Sequence, residues 1–202
     1  MGKKILLLAV LALALPIAAF ANSGVDFTNS GGTLSGTNSG LSLSGSTLAA
    51  VNGLNGGGLI TGNLGSVTFS TGALSSGSLQ MGGTFAAGGT FTVTGNGTNG
   101  IPNGTLFSGT FSGPVTWQLV TLANGTHNYI LTGVLTGTTM SGFSTNGVTV
   151  QLTINTGKSF FNGSTTISSG DTNIVVPEPG TLSLLGTGLI TLAGAVRRKL
   201  KA

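Results

Sequence analysis

The chain has 202 residues, enough for one modest domain flanked by processing segments. Only 5% of residues are charged and the formal net charge is +4, yet Lys158 is the sole Lys or Arg between residues 22 and 176, where Asp26 and Asp171 leave a net −1. That distribution excludes a basic nucleic-acid surface on the body, because counterion release needs clustered cations; the absence of cysteine excludes disulfides and thiolate metal sites.

The first segment predicts export. Lys3 and Lys4 precede an apolar run over residues 5–19, which ends in Ala19-Phe20-Ala21. A positive region, an apolar stretch and small residues at Ala19 and Ala21 form a secretory signal over residues 1–21, with cleavage expected after Ala21. Pro16 breaks the helix near the cleavage site. An uncleaved anchor helix is the alternative.

Residues 22–176 form the expected secreted body, rich in Gly, Ser, Thr and Asn. Such composition is compatible with disorder, but the local pattern is not. Over residues 22–57 the pattern is weak, with Leu34, Leu41, Leu43 and Leu48 scattered among Ser and Gly, and an irregular or partly ordered strand region is expected. Beyond residue 59 a two-residue alternation sets in. Val148, Val150, Leu152 and Ile154 alternate with Thr149, Gln151 and Thr153, which predicts a half-buried strand.

Runs 115–122 and 127–135 flank Ala123-Asn124-Gly125-Thr126 and predict a hairpin. Asn-Gly recurs at short spacing with Thr, Val and Phe between, and no amphipathic helical stretch occurs. These features predict an all-β fold, an antiparallel β-sandwich-like body. A β-solenoid is the alternative, suggested by Gly82-Gly83-Thr84-Phe85 followed by Gly88-Gly89-Thr90-Phe91.

The tail, residues 177–202, changes character. Pro177-Glu178-Pro179 cannot continue a helix or a central strand. Residues 181–196 carry no charge and would span roughly 24 Å as a helix. That is slightly short of a bilayer core of about 30 Å, so a transmembrane helix is expected with Arg197 and Arg198 snorkelling. Arg197, Arg198, Lys199 and Lys201 supply a positive-inside anchor on the cytoplasmic side. Ser183, Thr187, Thr191 and Ala195 recur every four residues; this small face either admits a partner helix or reflects a weakly apolar segment.

Pro-Glu-Pro, an apolar helix and a basic end, in a chain that opens with a signal peptide, resemble the PEP-CTERM sorting signal. The resemblance spans about an eighth of the chain. It implies that Pro177, Glu178 and Pro179 are recognised by an exosortase, an integral-membrane cysteine protease or transpeptidase of Gram-negative bacteria that make extracellular polysaccharide. The protein would then be inner-membrane anchored before processing, and afterwards reside in the cell envelope, at the surface or in the extracellular matrix. Exosortase, the membrane and exopolysaccharide are the expected partners.

The body offers little chemistry. Four sequons, at Asn96, Asn103, Asn124 and Asn162, are candidate glycosylation sites, or else by-products of Asn-Gly turns beside Thr-rich strands. His127, Asp26, Asp171 and Lys158 are the titratable candidates for an enzyme, and no Gly-x-Ser-x-Gly elbow accompanies them. No enzyme, metal site or cofactor is expected, and His127 is expected as a solvated residue at a strand edge. Trp117 and Tyr129, one on each arm of the hairpin, suit core packing or a sugar-stacking platform. Gly56-Gly57-Gly58 lacks the Lys and helix of a phosphate loop. A structural, polysaccharide-associated role is the primary expectation, a carbohydrate-binding or adhesive module the alternative, and a hydrolase acting through His127 the remote one.

Overall fold

A computed structural model describes residues 24–175. The expected signal segment with Ala19 and Ala21, and the tail with Pro177, Glu178, Pro179, Arg197, Arg198, Lys199 and Lys201, lie outside the described residues.

Apolar and hydroxyl side chains alternate along the chain, and in a pleated strand that places one set inside and the other in water. The strands are β1 (Gly24–Ser30), β2 (Thr33–Thr37), β3 (Gly40–Asn52), β4 (Ile60–Ser70), β5 (Leu74–Ser78), β6 (Gly82–Phe85) and β7 (Gly88–Asn96). They continue as β8 (Asn103–Phe111), β9 (Val115–Thr121), β10 (His127–Thr139), β11 (Ser144–Asn155), β12 (Ser164–Thr166) and β13 (Ser169–Val175). Val148, Val150, Leu152 and Ile154 of β11 all point inward, as their alternation requires. Among the described residues no helix is long and apolar enough to cross a membrane.

Every strand pairing is antiparallel. The order β11-β13-β1-β3-β4-β7-β8-β10 closes on itself because β10 also pairs β11, giving an eight-membered ring. Two long strands turn its corners by exchanging neighbours. The first part of β3 pairs β2 and its second part pairs β1. Likewise β10 pairs β9 through Thr132 and β8 from Leu135 onward. Beyond the corners, β12-β2 and β9-β6-β5 extend the two layers. The body is thus an antiparallel barrel with sandwich-like layers. The solenoid alternative fails: the two Gly-Gly-Thr-Phe copies become β6 and β7, which share no partner strand.

Phe69, Phe91, Phe107 and Phe111 fill the core between β4, β7 and β8, with Phe69 and Phe91 stacked at 6.0 Å and Phe111 edge-on to both. Their bulk explains part of the glycine content. A Cβ at Gly109 or Gly137 would strike the Phe107 ring, and one at Gly133 would strike Phe111. Glycine here makes room for an aromatic ring. Gly65 serves differently: its φ of +150° is disfavoured for L side chains, and a Cβ there would collide with the Thr94 carbonyl.

The structure corrects the weak reading of residues 22–57. From Gly24 they form three full strands, and Leu34, Leu41, Leu43 and Leu48 are core residues. The alternation was obscured because β3 shifts register twice against β4, between Leu43 and Ser46 and between Leu48 and Ala50.

Candidate outer-face groove and polar rows

The outward residues fall into register across neighbouring strands. On one side Thr68, Thr92, Ser108, Thr138 and Ser144 form a row from β4 to β11, one hydroxyl per strand. Continuing the outer surface, Thr116, Thr132, Gln151 and Asp171 align from β9 to β13. A parallel row holds Val134, Thr149, Asn173 and Asp26. Adjacent strands lie about 4.8 Å apart, so four of them carry polar groups over about 14 Å.

These last two rows line a groove of about 580 Å³. Asp26 and Asp171 are diagonal cross-strand neighbours, since Asp26 pairs Asn173 two residues along, a placement of roughly 7–8 Å. Among the described residues no ion pair and no side-chain hydrogen bond engages either carboxylate. Thr116 and Thr132 share a hydroxyl contact of 2.8 Å at the far wall. Partial burial, and then the Asp171 charge, push Asp26 above its ordinary value of 3.8.

The sign of that shift makes Asp26 a cost to the fold. A carboxyl with a raised folded-state pKa binds protons more readily when folded, so stability falls as pH rises through the window above 3.8. Asp26→Asn is therefore expected to raise the Tm at neutral pH, the gain closing as pH falls below the ordinary aspartate value. Thermal melts of parent and variant across that range check this. An equal Tm at neutral pH would contradict it.

The remaining candidates are not assembled with the groove. His127 is buried rather than solvated, a correction to the expectation from sequence. Its ring stacks on Phe160 at 4.3 Å, and Nδ1 lies 3.0 Å from the Thr121 hydroxyl. The loop between β11 and β12 covers the strand end that sequence spacing left open. Trp117 and Tyr129 stack at 4.7 Å with an interplanar angle of 15° and are fully buried, so core packing holds and the sugar platform does not. The Trp117 indole donates to the Leu79 carbonyl and the Tyr129 hydroxyl to the Gln80 carbonyl.

Asn96, Asn103, Asn124 and Asn162 are all exposed. Two of them show why the sequon recurs. Asn124 Oδ1 accepts from the Thr126 amide, and Asn96 Oδ1 accepts from both the amide and the hydroxyl of Thr98. An Asx turn needs an acceptor side chain two residues before a free amide, with Gly125 at φ 79° between. Asn-Gly-Thr is thus the turn's own chemistry. Asn96 Nδ2, the atom a glycan would occupy, is engaged by the Asn63 carbonyl.

The groove was missed at the sequence level, because its residues come from five strands and no local motif joins them. The signal the sequence did offer was that Asp26 and Asp171 are the only two carboxylates of residues 22–176.

Comparison with curated proteins and with solved structures gives no match. A family model described as the PEP-CTERM protein-sorting motif matches residues 175–199. The match spans the Pro177-Glu178-Pro179 segment, the uncharged run and the first three basic residues after it. This chain therefore carries a PEP-CTERM protein-sorting motif over residues 175–199.

Proposed function

We propose that the chain is an exported protein which an exosortase recognises at Pro177, Glu178 and Pro179, and whose barrel then serves a structural, polysaccharide-associated role at the surface or in the matrix of a Gram-negative cell. The sorting half rests on the motif at residues 175–199. In this proposal the signal over residues 1–21 starts export, and the uncharged run with Arg197, Arg198, Lys199 and Lys201 holds the chain in the inner membrane until processing. The body acts as a non-enzymatic scaffold: His127 is packed under Phe160 with a threonine hydroxyl as its partner, and among the described residues no carboxylate orients its ring as a general base.

One observation carries the role of the body. The row Thr68, Thr92, Ser108, Thr138, Ser144 sets hydroxyls at strand spacing on an almost uncharged surface. Such a row offers repeated weak donors and acceptors to a polyhydroxylated polymer. Full-length chain in detergent is expected to co-sediment with insoluble polysaccharide well above a charged β-barrel control. Replacing Thr68, Ser108 and Thr138 together by Ala should reduce retention several-fold. Failure to co-sediment with any polysaccharide, including exopolysaccharide from the producing cells, would remove this role.

A further inference from the structure

We infer that the groove bounded by β10, β11, β13 and β1 binds a glycan whose sugar residues carry free amino groups. This inference rests on the polysaccharide association proposed above and names the class of polymer that one particular site selects. Asp26 and Asp171 face the same groove as diagonal neighbours, and among the described residues no Lys or Arg lines it. Lys158, the one Lys or Arg from 24 to 175, sits in the loop after β11 and is not part of the groove lining. Two carboxylates held near each other without a counter-charge repel, and each is easiest to neutralise from outside the protein. A groove of this kind repels uronate or sulfated polymers and attracts a cationic one.

The rest of the lining distinguishes a sugar from a simple cation. Gln151 and Asn173 present amides directly beside Asp171 and Asp26, in register on adjacent strands. Thr149 adds a hydroxyl. Donors and acceptors in this mixture suit the vicinal hydroxyls of a pyranose ring. Val134, 42% exposed at the groove wall, gives an apolar surface for the C–H face of the ring. A volume of about 580 Å³ is far larger than a metal ion needs and falls within the usual range for small-molecule clefts. No group of three or more His, Cys, Asp or Glu exists among the described residues to close around a metal. An ammonium on the sugar would lie between the two carboxylates while the amides hold its neighbouring hydroxyls.

The test compares four probes on full-length protein in detergent by titration calorimetry: a fully deacetylated chito-oligosaccharide, its N-acetylated counterpart of equal length, an oligo-uronate, and calcium alone. The deacetylated oligomer is expected to bind at least tenfold more tightly than the acetylated one, with no uronate binding. Asp171→Asn should lower that affinity about tenfold or more. The variant relieves a like-charge contact and is expected to fold; retained thermal stability confirms this. Lys158→Ala, which lies outside the groove lining, should bind the deacetylated oligomer as the parent does. Equal affinity for the two oligomers, or an unchanged affinity in Asp171→Asn, overturns the inference while leaving polysaccharide association intact. Calcium binding that depends on Asp171 and blocks the oligomer overturns it as well. Absence of binding to every saccharide, soluble or insoluble, fells both proposals.

Discussion

Replacing Trp117 by Ala is expected to destabilise the barrel by about 3–5 kcal/mol, the range for removing a large buried aromatic side chain. Trp117 is only 1% exposed and lies against Tyr129 at 4.7 Å and edge-on to Phe161 at 5.4 Å. It also ties separate parts of the chain. Its indole holds the Leu79 carbonyl at 2.8 Å, while the Tyr129 hydroxyl holds the Gln80 carbonyl at 2.6 Å and accepts the Phe161 amide at 3.0 Å. One aromatic cluster thus fixes β9, β10, the β5–β6 turn and the loop after β11. The loss is a large fraction of the 5–15 kcal/mol typical of a folded domain. Trp117→Phe keeps an aromatic face and gives up the indole donor, so a cost of about 1 kcal/mol is expected from the hydrogen bond together with some lost packing. Denaturant midpoints at unchanged m-value measure both. A loss below about 1 kcal/mol in the alanine variant would show that the cluster is not the core seen here. Glycan binding should survive in Trp117→Phe, since no sugar reaches a buried ring.

Why that cluster was half legible follows from how sheets are encoded. The hairpin could be read from the sequence because Asn124-Gly125 lies between two β-prone runs, and it forms with Leu122 and Thr126 hydrogen-bonded across the turn. Its register could not be read. Trp117 pairs Leu131 and Tyr129 pairs Leu119, so the rings meet diagonally rather than opposite one another. Closure of the barrel was equally hidden, since β1 pairs β13 and β3, partners set by long-range packing and not by neighbouring residues. The same holds for the groove, where Asp26 and Asp171 meet only because the first and last described strands lie side by side.

Glycine carried two messages in one letter. At Gly125 it marks a turn, which the sequence pattern caught. At Gly109, Gly133 and Gly137 it lies inside strands beneath Phe107 and Phe111, where a turn-based reading assigns it no purpose. His127 was misjudged for a related reason: its burial comes from Phe160, more than thirty residues along the chain, folding back across the strand end. The sorting motif was the most legible feature of all, because it is linear. Recognition of an extended peptide depends on residue order, and order is what a sequence states outright.

That linearity makes the second prediction sharp, because anchoring and recognition can be separated. Deleting residues 177–202 removes both the Pro-Glu-Pro segment and the uncharged run of residues 181–196 with its basic end. The shortened protein is expected to leave the membrane fraction almost completely and appear free in the periplasm or medium, as judged by fractionation and immunoblotting. A double substitution, Pro177→Ala with Glu178→Ala, keeps the run and the basic end. It is expected to stay in the inner membrane at full length, because the uncharged run proposed to hold the chain there is unchanged while the peptide the exosortase would engage is lost. The parent should be found shortened by about the length of the tail and moved outward to the envelope or matrix. Three distinct distributions from three chains would separate retention from processing. Identical distributions for parent and deletion would mean that the tail neither holds nor sorts the protein. A processed double variant would shift recognition away from Pro177 and Glu178 to the rest of the tail.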